Sequence, residues 1–290
     1  MPDLVTTDID NFWRAFDAAD RLPTSDRVKI FESAYFDVAS KGMLEFIGLR
    51  LGDVEQFERV VTTHDAYYRS ARVSMMRIRE FEGEIRHYYK RFDRLYPPLK
   101  TPRVTFVVGR LSCGGTTGQS GLLIGAEMFG RTERMPEQTL DAWRRSVIKP
   151  VTEIPSMVIH ELVHVQQKSA ETSKMSLLAK SIREGMAVYV TERVTRRPDP
   201  AAPHEYGLLH EEELWQEFRK VMEGTDASDW LSNGANSVGR PADLGYFIGC
   251  QICRAFVEKQ GRSGETMRRL MEVEAYEEIL EVGGYGGSVK

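Results

Sequence analysis

The stretch Ile159-His160-Glu161-Leu162-Val163-His164 contains two histidines four residues apart and a glutamate directly after the first. It belongs to an apolar run with helical period, in which residues four apart share a face. His160 and His164 can therefore bind one zinc ion, with Glu161 as general base toward a water that the metal activates. The alternative is a surface helix with two solvated histidines, which the apolar flanks disfavour. The segment predicts a zinc-binding helix.

A catalytic zinc ion has three protein ligands and one open position. The metzincin pattern is excluded, because Gln167 and Ala170 stand where it requires glycine and histidine. Glu184, 20 residues after His164, is the candidate third ligand. The alternative for any single glutamate is an exposed position on a helix. The histidine motif upstream favours the ligand.

A second helix is predicted for Ser181–Val190, after a loop at residues 171–176. Gly185 and Ala187 are small, so we expect this helix to pack closely against the zinc helix. That approach would bring the Glu184 carboxylate to the metal.

The pattern His160-Glu-x-x-His164 with Glu184-Gly-x-Ala187 resembles the gluzincin class of zinc peptidases. Nearly end to end, the chain is similar to a family of predicted zinc-dependent proteases of unknown function related to gliding-motility lipoproteins. Five further segments carry this similarity: Asp8–Phe12, Gly114–Thr116, Gly121–Glu127, His210–Glu211 and Pro241–Tyr246. The resemblance implies a zincin-like metallopeptidase fold and a zinc cofactor, and it identifies no substrate. Val188-Tyr189 departs from the Asp-Phe expected in many relatives. We expect this difference to affect packing rather than metal binding.

The composition is that of an ordinary globular protein, with 290 residues, 41% of them hydrophobic and 28% charged. The net charge of −4, without a block of like charge, predicts no nucleic-acid partner. Three cysteines cannot form a disulfide framework, and Cys250 and Cys253 in an apolar helical stretch are expected to be a buried pair.

No run approaches the roughly 20 apolar residues of a membrane span, and the first residues lack a signal-peptide core. We therefore expect either a cytoplasmic protein or a chain from which an export signal was removed. The lipoprotein relatives favour the periplasm or cell envelope.

The predicted fold class is α+β, mainly helical with a small sheet. Residues 1–98 form an N-terminal helical cap, ending at Tyr96-Pro97-Pro98; residues 99–197 hold the sheet and the zinc-site helices; residues 198–290 form a helical C-terminal lobe. These three segments are expected to form one compact unit. The tail at Gly283–Gly287 is expected to be poorly ordered.

Two strands are predicted in the middle segment, Val104–Val108 and Leu122–Phe129, around the glycine-rich stretch Ser112–Gly121. A flexible hairpin is one interpretation of this stretch. In the other, the second strand forms a sheet edge beside the zinc site, where an extended peptide could pair with it.

An oxyanion donor is expected from the C-terminal lobe, and Tyr246 is the candidate, because Gly245 and Gly249 would leave room beside its ring. A packed core tyrosine is the alternative, and Tyr189 and His210 are rivals. His210 is also a candidate second-shell partner that orients a ligand.

The sequence thus predicts a zinc metallopeptidase that acts on a peptide or protein substrate, with Glu161 as base and then acid. Hydrolysis of a non-peptide amide remains open. The alternative from another class is a non-catalytic envelope or motility-related protein that retains the zinc-binding fold.

Overall fold

The computed structural model describes residues 1–167, 171–234 and 237–288. The architecture is mainly helical α+β with a small four-stranded mixed sheet, as the sequence predicted at that level. The helices are α1 Thr7–Ala18, α2 Thr24–Phe31, α3 Lys41–Phe46, α4 Val54–Thr63, α5 Asp65–Met76, α6 Glu82–Leu95, α7 Ala142–Val147, α8 Ile154–Gln166, α9 Leu177–Thr195, α10 Ala202–Leu209, α11 Glu211–Phe218, α12 Leu244–Gln260, α13 Gly264–Met271 and α14 Tyr276–Gly283. Among the described residues, no helix combines the length and apolar character needed to cross a membrane.

The sheet contains β1 Leu4–Val5, β2 Val104–Val107, β3 Gly115–Gly118 and β4 Gly121–Gly125. Their order is β1-β2-β4-β3, with β3 antiparallel to β4 and the other pairs parallel. The prediction that the second strand forms the sheet edge was wrong. Every residue of β4 is buried between two neighbours, and the glycine-rich stretch itself supplies the edge strand β3.

The chain forms two compact units. The first comprises residues 1–90 and 101–161, and the second comprises residues 91–100 and 162–290. The predicted three segments, 1–98, 99–197 and 198–290, stay a prediction.

In the first unit, tyrosines from the helical N-terminal part reach the backbone where β2 ends. The Tyr35 hydroxyl donates to the Val108 carbonyl at 2.7 Å and accepts from the Val108 amide at 2.8 Å. Tyr68 donates to the Gly109 carbonyl at 2.7 Å. All these groups are buried, so each hydrogen bond satisfies polar atoms that would otherwise lack a partner in the core. The predicted helical region therefore holds the end of β2 in place.

A buried carboxylate holds the loop that follows β2. Glu127 is fully buried and accepts hydrogen bonds from the amides of Gly109 at 2.7 Å and Leu111 at 3.2 Å. Burial raises the pKa of Glu127 to about 7, because desolvation disfavours the charged form. Leu111 has a φ of 60°, so this loop makes a tight turn before β3.

In the second unit, α9 and α12 cross at two glycines. A Cβ added at Gly185 would overlap the backbone of Gly249 and Cys250, and one added at Gly249 would overlap the backbone of Ser181. Gly185 was predicted to permit close packing of α9 on the zinc helix, and that was wrong. Its nearest neighbours lie on α12, because the contact at this face is between two backbones.

The C-terminal region differs from expectation in two places. A single helix was predicted from Glu265 to Leu280, but α13 ends at Met271 and α14 begins at Tyr276. The tail was expected to be poorly ordered, but Tyr285 is buried and its hydroxyl donates to Glu211 at 2.9 Å. The cysteine prediction is confirmed: Cys250 and Cys253 are free and buried.

Gly249→Ala should destabilise the protein by roughly 1–3 kcal/mol or more, because neither backbone at the crossing can move aside like a flexible side chain. Urea unfolding followed by circular dichroism measures the change in the free energy of unfolding.

The matched control is Gly83→Ala in α6, where a Cβ would meet nothing within 4 Å. This change should stabilise by about 0.5–1 kcal/mol, because alanine has the higher helix propensity. If both substitutions changed the free energy of unfolding equally, the close contact between α9 and α12 would not be the cause of the loss.

Candidate metal centre

Helix α8 presents both motif histidines. A 3₁₀ turn at Val151–Glu153 leads into it, and Pro155 lies in its first turn, where the missing amide hydrogen costs no hydrogen bond. Val158, Ile159, Leu162 and Val163 are fully buried, whereas His160 and His164 are half-buried. The apolar flanks thus place the histidines at the surface of the core, as predicted.

Helix α9 brings the glutamate to the same place. The Ser176 hydroxyl caps the helix by accepting from the Ala179 amide, and Glu184 lies half-buried in the third turn after that cap. Ligand atoms of His160, His164 and Glu184 all lie within 4.8 Å of one another. His164 Nε2 is 3.2 Å from Glu184 Oε2. These three side chains form a group that can hold a metal ion.

Gln167 orients His164, a role that the sequence analysis missed. The Gln167 side-chain amide donates to the Arg183 carbonyl at 2.8 Å, which turns its oxygen toward His164 Nδ1, also at 2.8 Å. Nδ1 is then placed to donate to this oxygen, which leaves Nε2 on the side of Glu184 as the nitrogen that could bind a metal. The sequence did contain a signal, since Gln167 stands three residues after His164, where helical side chains are neighbours. The sequence analysis used Gln167 only to exclude a metzincin site.

The donor set suits a metal such as zinc. Two imidazole nitrogens and one carboxylate are the ligands of many catalytic zinc sites, which keep one position open for water or substrate. A histidine that donates its second ring nitrogen to a fixed oxygen is the usual arrangement around such ligands, and His164 with Gln167 has it. The residues present therefore fit the predicted group.

Glu161 lies against the edge strand β3. It is 8% exposed, and a Cβ added at Gly115 would lie 2.7 Å from its Oε1. Gly114, next to the strand, would meet Met157 of α8 at 3.5 Å. The Cys113 thiol donates to the Gly115 carbonyl at 3.0 Å, and burial raises its pKa to about 11. Glycine at position 115 is therefore required for β3 to approach the Glu161 carboxylate this closely.

Asp243 is a second acidic group near Glu184 that the sequence analysis did not single out. Burial raises its pKa, and the charge of Glu184 raises it further. Asp243 also has a φ of 63°, and its carbonyl accepts from the Tyr246 amide at 3.0 Å. Its place within the family-like segment Pro241–Tyr246 was the signal that could have found it.

Tyr246 is half-buried in the first turn of α12. The expectation that Gly245 and Gly249 leave room beside its ring stays a prediction. An added Cβ at Gly245 would lie 2.7 Å from Leu231 Cδ2 and 2.9 Å from Ser181 Oγ, and one at Gly249 would overlap the Ser181 carbonyl, so both glycines permit close packing. The role of Tyr246 as oxyanion donor stays a prediction.

The two rival residues have other contacts. His210 follows α10, stacks on Tyr206 with ring centroids 4.1 Å apart, and lies 3.5 Å from Glu213. Tyr189 is buried on α9, with the Arg254 guanidinium 5.7 Å from its ring centroid. The second-shell role of His210 stays a prediction.

Gln167→Leu should lower the affinity for added Zn²⁺ by roughly 10–100-fold, because His164 loses the acceptor that fixes its tautomer and ring orientation. Competition against a chromophoric chelator measures the dissociation constant.

The control is Gln166→Leu on the same helix. The Gln166 side chain bonds the backbone of Lys100 and Leu162 rather than a histidine, so the substitution should leave zinc affinity within about threefold of wild type. A similar loss in both variants would show that the effect comes from the stability of α8 and not from His164.

The comparisons with known proteins give one family. A family model described as "Gliding motility protein GldB" matches residues 3–287. No curated protein and no solved structure matches the chain. Since the family model covers nearly every residue, the chain belongs to the gliding motility protein GldB family.

Proposed function

We propose that this protein is a zinc-dependent peptidase with His160, His164 and Glu184 as metal ligands and Glu161 as general base. The observation that carries the proposal is the position of Glu161. Its buried carboxylate follows a metal-binding histidine and lies directly against an edge strand. These are the two features that a peptide-cleaving site needs: a base beside the metal and a surface that binds an extended chain.

The substrate in this proposal is an extended peptide that pairs with β3. An edge strand has unpaired amide and carbonyl groups on its outer side, and a peptide can add to it as a further strand. The spaces that side chains at Gly115 and Gly118 would fill are occupied by the side chains of Glu161 and Glu45, so two carboxylates lie against the strand. The scissile bond would then lie near Glu161, because Gly115 contacts that carboxylate.

In the proposed mechanism, Glu161 accepts a proton from the attacking water and later returns it to the leaving amine. Zinc in such a site acts as a Lewis acid that polarises a carbonyl and lowers the pKa of water. The Gln167 side chain orients the His164 ring, so that its Nε2 would be available to hold the metal together with His160 and Glu184.

Tyr246 is the proposed donor to the oxyanion, because a phenol can donate without competing as a metal ligand. Tyr246 lies in the first turn of α12, the helix that packs on α9. Asp243, three residues earlier, is close enough to Glu184 for the charge of that carboxylate to raise its pKa. His210 and Tyr189 remain rival donors, and a second-shell role remains the proposal for His210.

A second candidate function is a non-catalytic envelope or motility-related role. The observation that favours it is the description of the matched family, which names gliding motility and no peptidase activity. The same description supports a location at the cell envelope as part of either proposal. The two functions differ in whether Glu161 is needed for anything besides the fold.

Glu161→Gln should retain the fold and zinc but abolish turnover, because an amide cannot accept the proton from water. Cleavage of a broad peptide library, followed by mass spectrometry, measures the activity. Glu153→Gln is the matched control, since it makes the same change in the turn that leads into α8.

Zinc analysis of His160→Ala, His164→Ala and Glu184→Ala belongs to the same experiment, and each should lose most of its metal. Full zinc content in Glu184→Ala would make His210 the next candidate ligand. If the wild type cleaved no peptide or protein at several pH values, the non-catalytic function would replace the peptidase.

Tyr246→Phe should lower kcat by roughly 10²–10³ with unchanged zinc content, because it keeps the ring and removes only the donor. Steady-state kinetics on a peptide found in the library screen would measure kcat and KM separately. A fall of less than about threefold would assign Tyr246 to packing.

A further inference from the structure

The second unit contains a cavity of about 960 Å³ at the C-terminal end of α9. Glu192 is the one acidic residue among its described lining residues, against six arginines: Arg91, Arg94, Arg193, Arg196, Arg197 and Arg254. The protein as a whole carries a net charge of −4. This concentration of positive charge is therefore local and opposite in sign to the rest of the chain.

Two of the arginines have structural roles. Arg254 pairs with Glu192 at 2.7 Å, and the same carboxylate accepts from the Asp199 amide at 3.1 Å. Arg91 donates to the carbonyls of Thr195 and Arg193, at 3.4 and 3.3 Å, where α9 ends. These contacts neutralise Glu192 and cap the helix, and they do not involve the side chains of Arg94, Arg193 and Arg196.

Arg94, Arg193 and Arg196 are exposed, and within the described ranges their side chains make no hydrogen bond or ion pair. The dipole of α9 places only about half a negative charge at its C-terminus, which is too little to balance three arginines. Arg196 has a φ of 60° at the position after the last residue of α9, where glycine is normally preferred. Arg196 thus adopts a left-handed backbone conformation that is strained for a residue with a side chain.

The walls of the cavity also contain apolar side chains, among them Leu95, Val194 and Leu208. Leu208 is 58% exposed. Guanidinium groups bind phosphate oxygens with two parallel hydrogen bonds each, and apolar walls bind the uncharged part of a ligand. The volume is at the upper end of the range for small-molecule sites, so it exceeds what a single phosphate ion requires.

We propose that this cavity is a binding site for a ligand that carries phosphate groups. The ligand is either a soluble phosphate compound or the headgroup of an anionic phospholipid, and both present the same oxygens to the arginines. This site is independent of the proposed peptidase function, because it shares no residue with the metal centre.

The test compares two double variants that lose the same charges. Arg193→Gln/Arg196→Gly removes two cavity arginines, one on a helix and one at positive φ. The matched control, Arg21→Gly/Arg59→Gln, removes an exposed helical arginine of α4 and an arginine with a φ of 61°, neither of which lines the cavity. Both glycine substitutions relieve a left-handed backbone, so neither variant should lose thermal stability.

Isothermal titration calorimetry with pyrophosphate tests the soluble source. Co-sedimentation with phosphatidylcholine vesicles, with and without phosphatidylglycerol, tests the lipid source. Wild type should bind one of the two probes, and the cavity variant should bind it roughly tenfold or more weakly, while the control variant binds like wild type.

Binding of pyrophosphate would identify a soluble phosphate ligand, and binding only to vesicles that contain phosphatidylglycerol would identify a lipid headgroup. The proposal is overturned if wild type binds neither probe. It is also overturned if the cavity and control variants weaken binding equally, since the effect would then be that of total charge.

Discussion

The close crossing of α9 and α12 is the constraint on which the position of Glu184 depends. Gly185 and Gly249 bring two backbones into contact, and any side chain at either position would force the helices apart. Glu184 immediately precedes Gly185, and neighbouring residues on a helix point about 100° apart. With Gly185 held against α12, the direction of the Glu184 carboxylate is fixed. Gly185 thus orients the neighbouring Glu184 through its contact with α12, a helix that lies outside the Glu-Gly-x-Ala motif.

Gln167 supplies the second constraint, because it links the end of α8 to α9. Its amide group joins the His164 ring to the backbone of Arg183, which is the residue before Glu184. One hydrogen-bonded side chain therefore determines both the tautomer of a histidine and its position beside the carboxylate. In the first unit, the close contact of Gly115 with Glu161 has a similar effect, since it fixes the Glu161 carboxylate relative to the edge strand β3.

Helix α9 carries two chemically different surfaces. Glu184 lies near its middle, and Arg193 lies in its last turn, roughly 13 Å further along the axis at 1.5 Å per residue. Arg196 directly follows the last residue of the helix. The first surface belongs to a group that can hold a metal ion, and the second lines a cavity with excess positive charge. Membership of the gliding motility protein GldB family covers both, because the family model spans residues 3–287.

By itself, the sequence determined the elements whose signals are local. The sequence predicted the three residues that the structure brings together, His160, His164 and Glu184. The two histidines could be paired because helical periodicity acts over a few residues, and Glu184 lies on the next predicted helix. Only the tertiary structure decided which surfaces meet: that β3 and not β4 is the edge strand, that Gly185 packs on α12, and that Gln167 turns toward His164. The arginine-lined cavity is likewise tertiary, since Arg94, Arg193 and Arg254 are far apart in the chain. Such contacts depend on the packing of whole elements, and no short stretch of sequence records that packing.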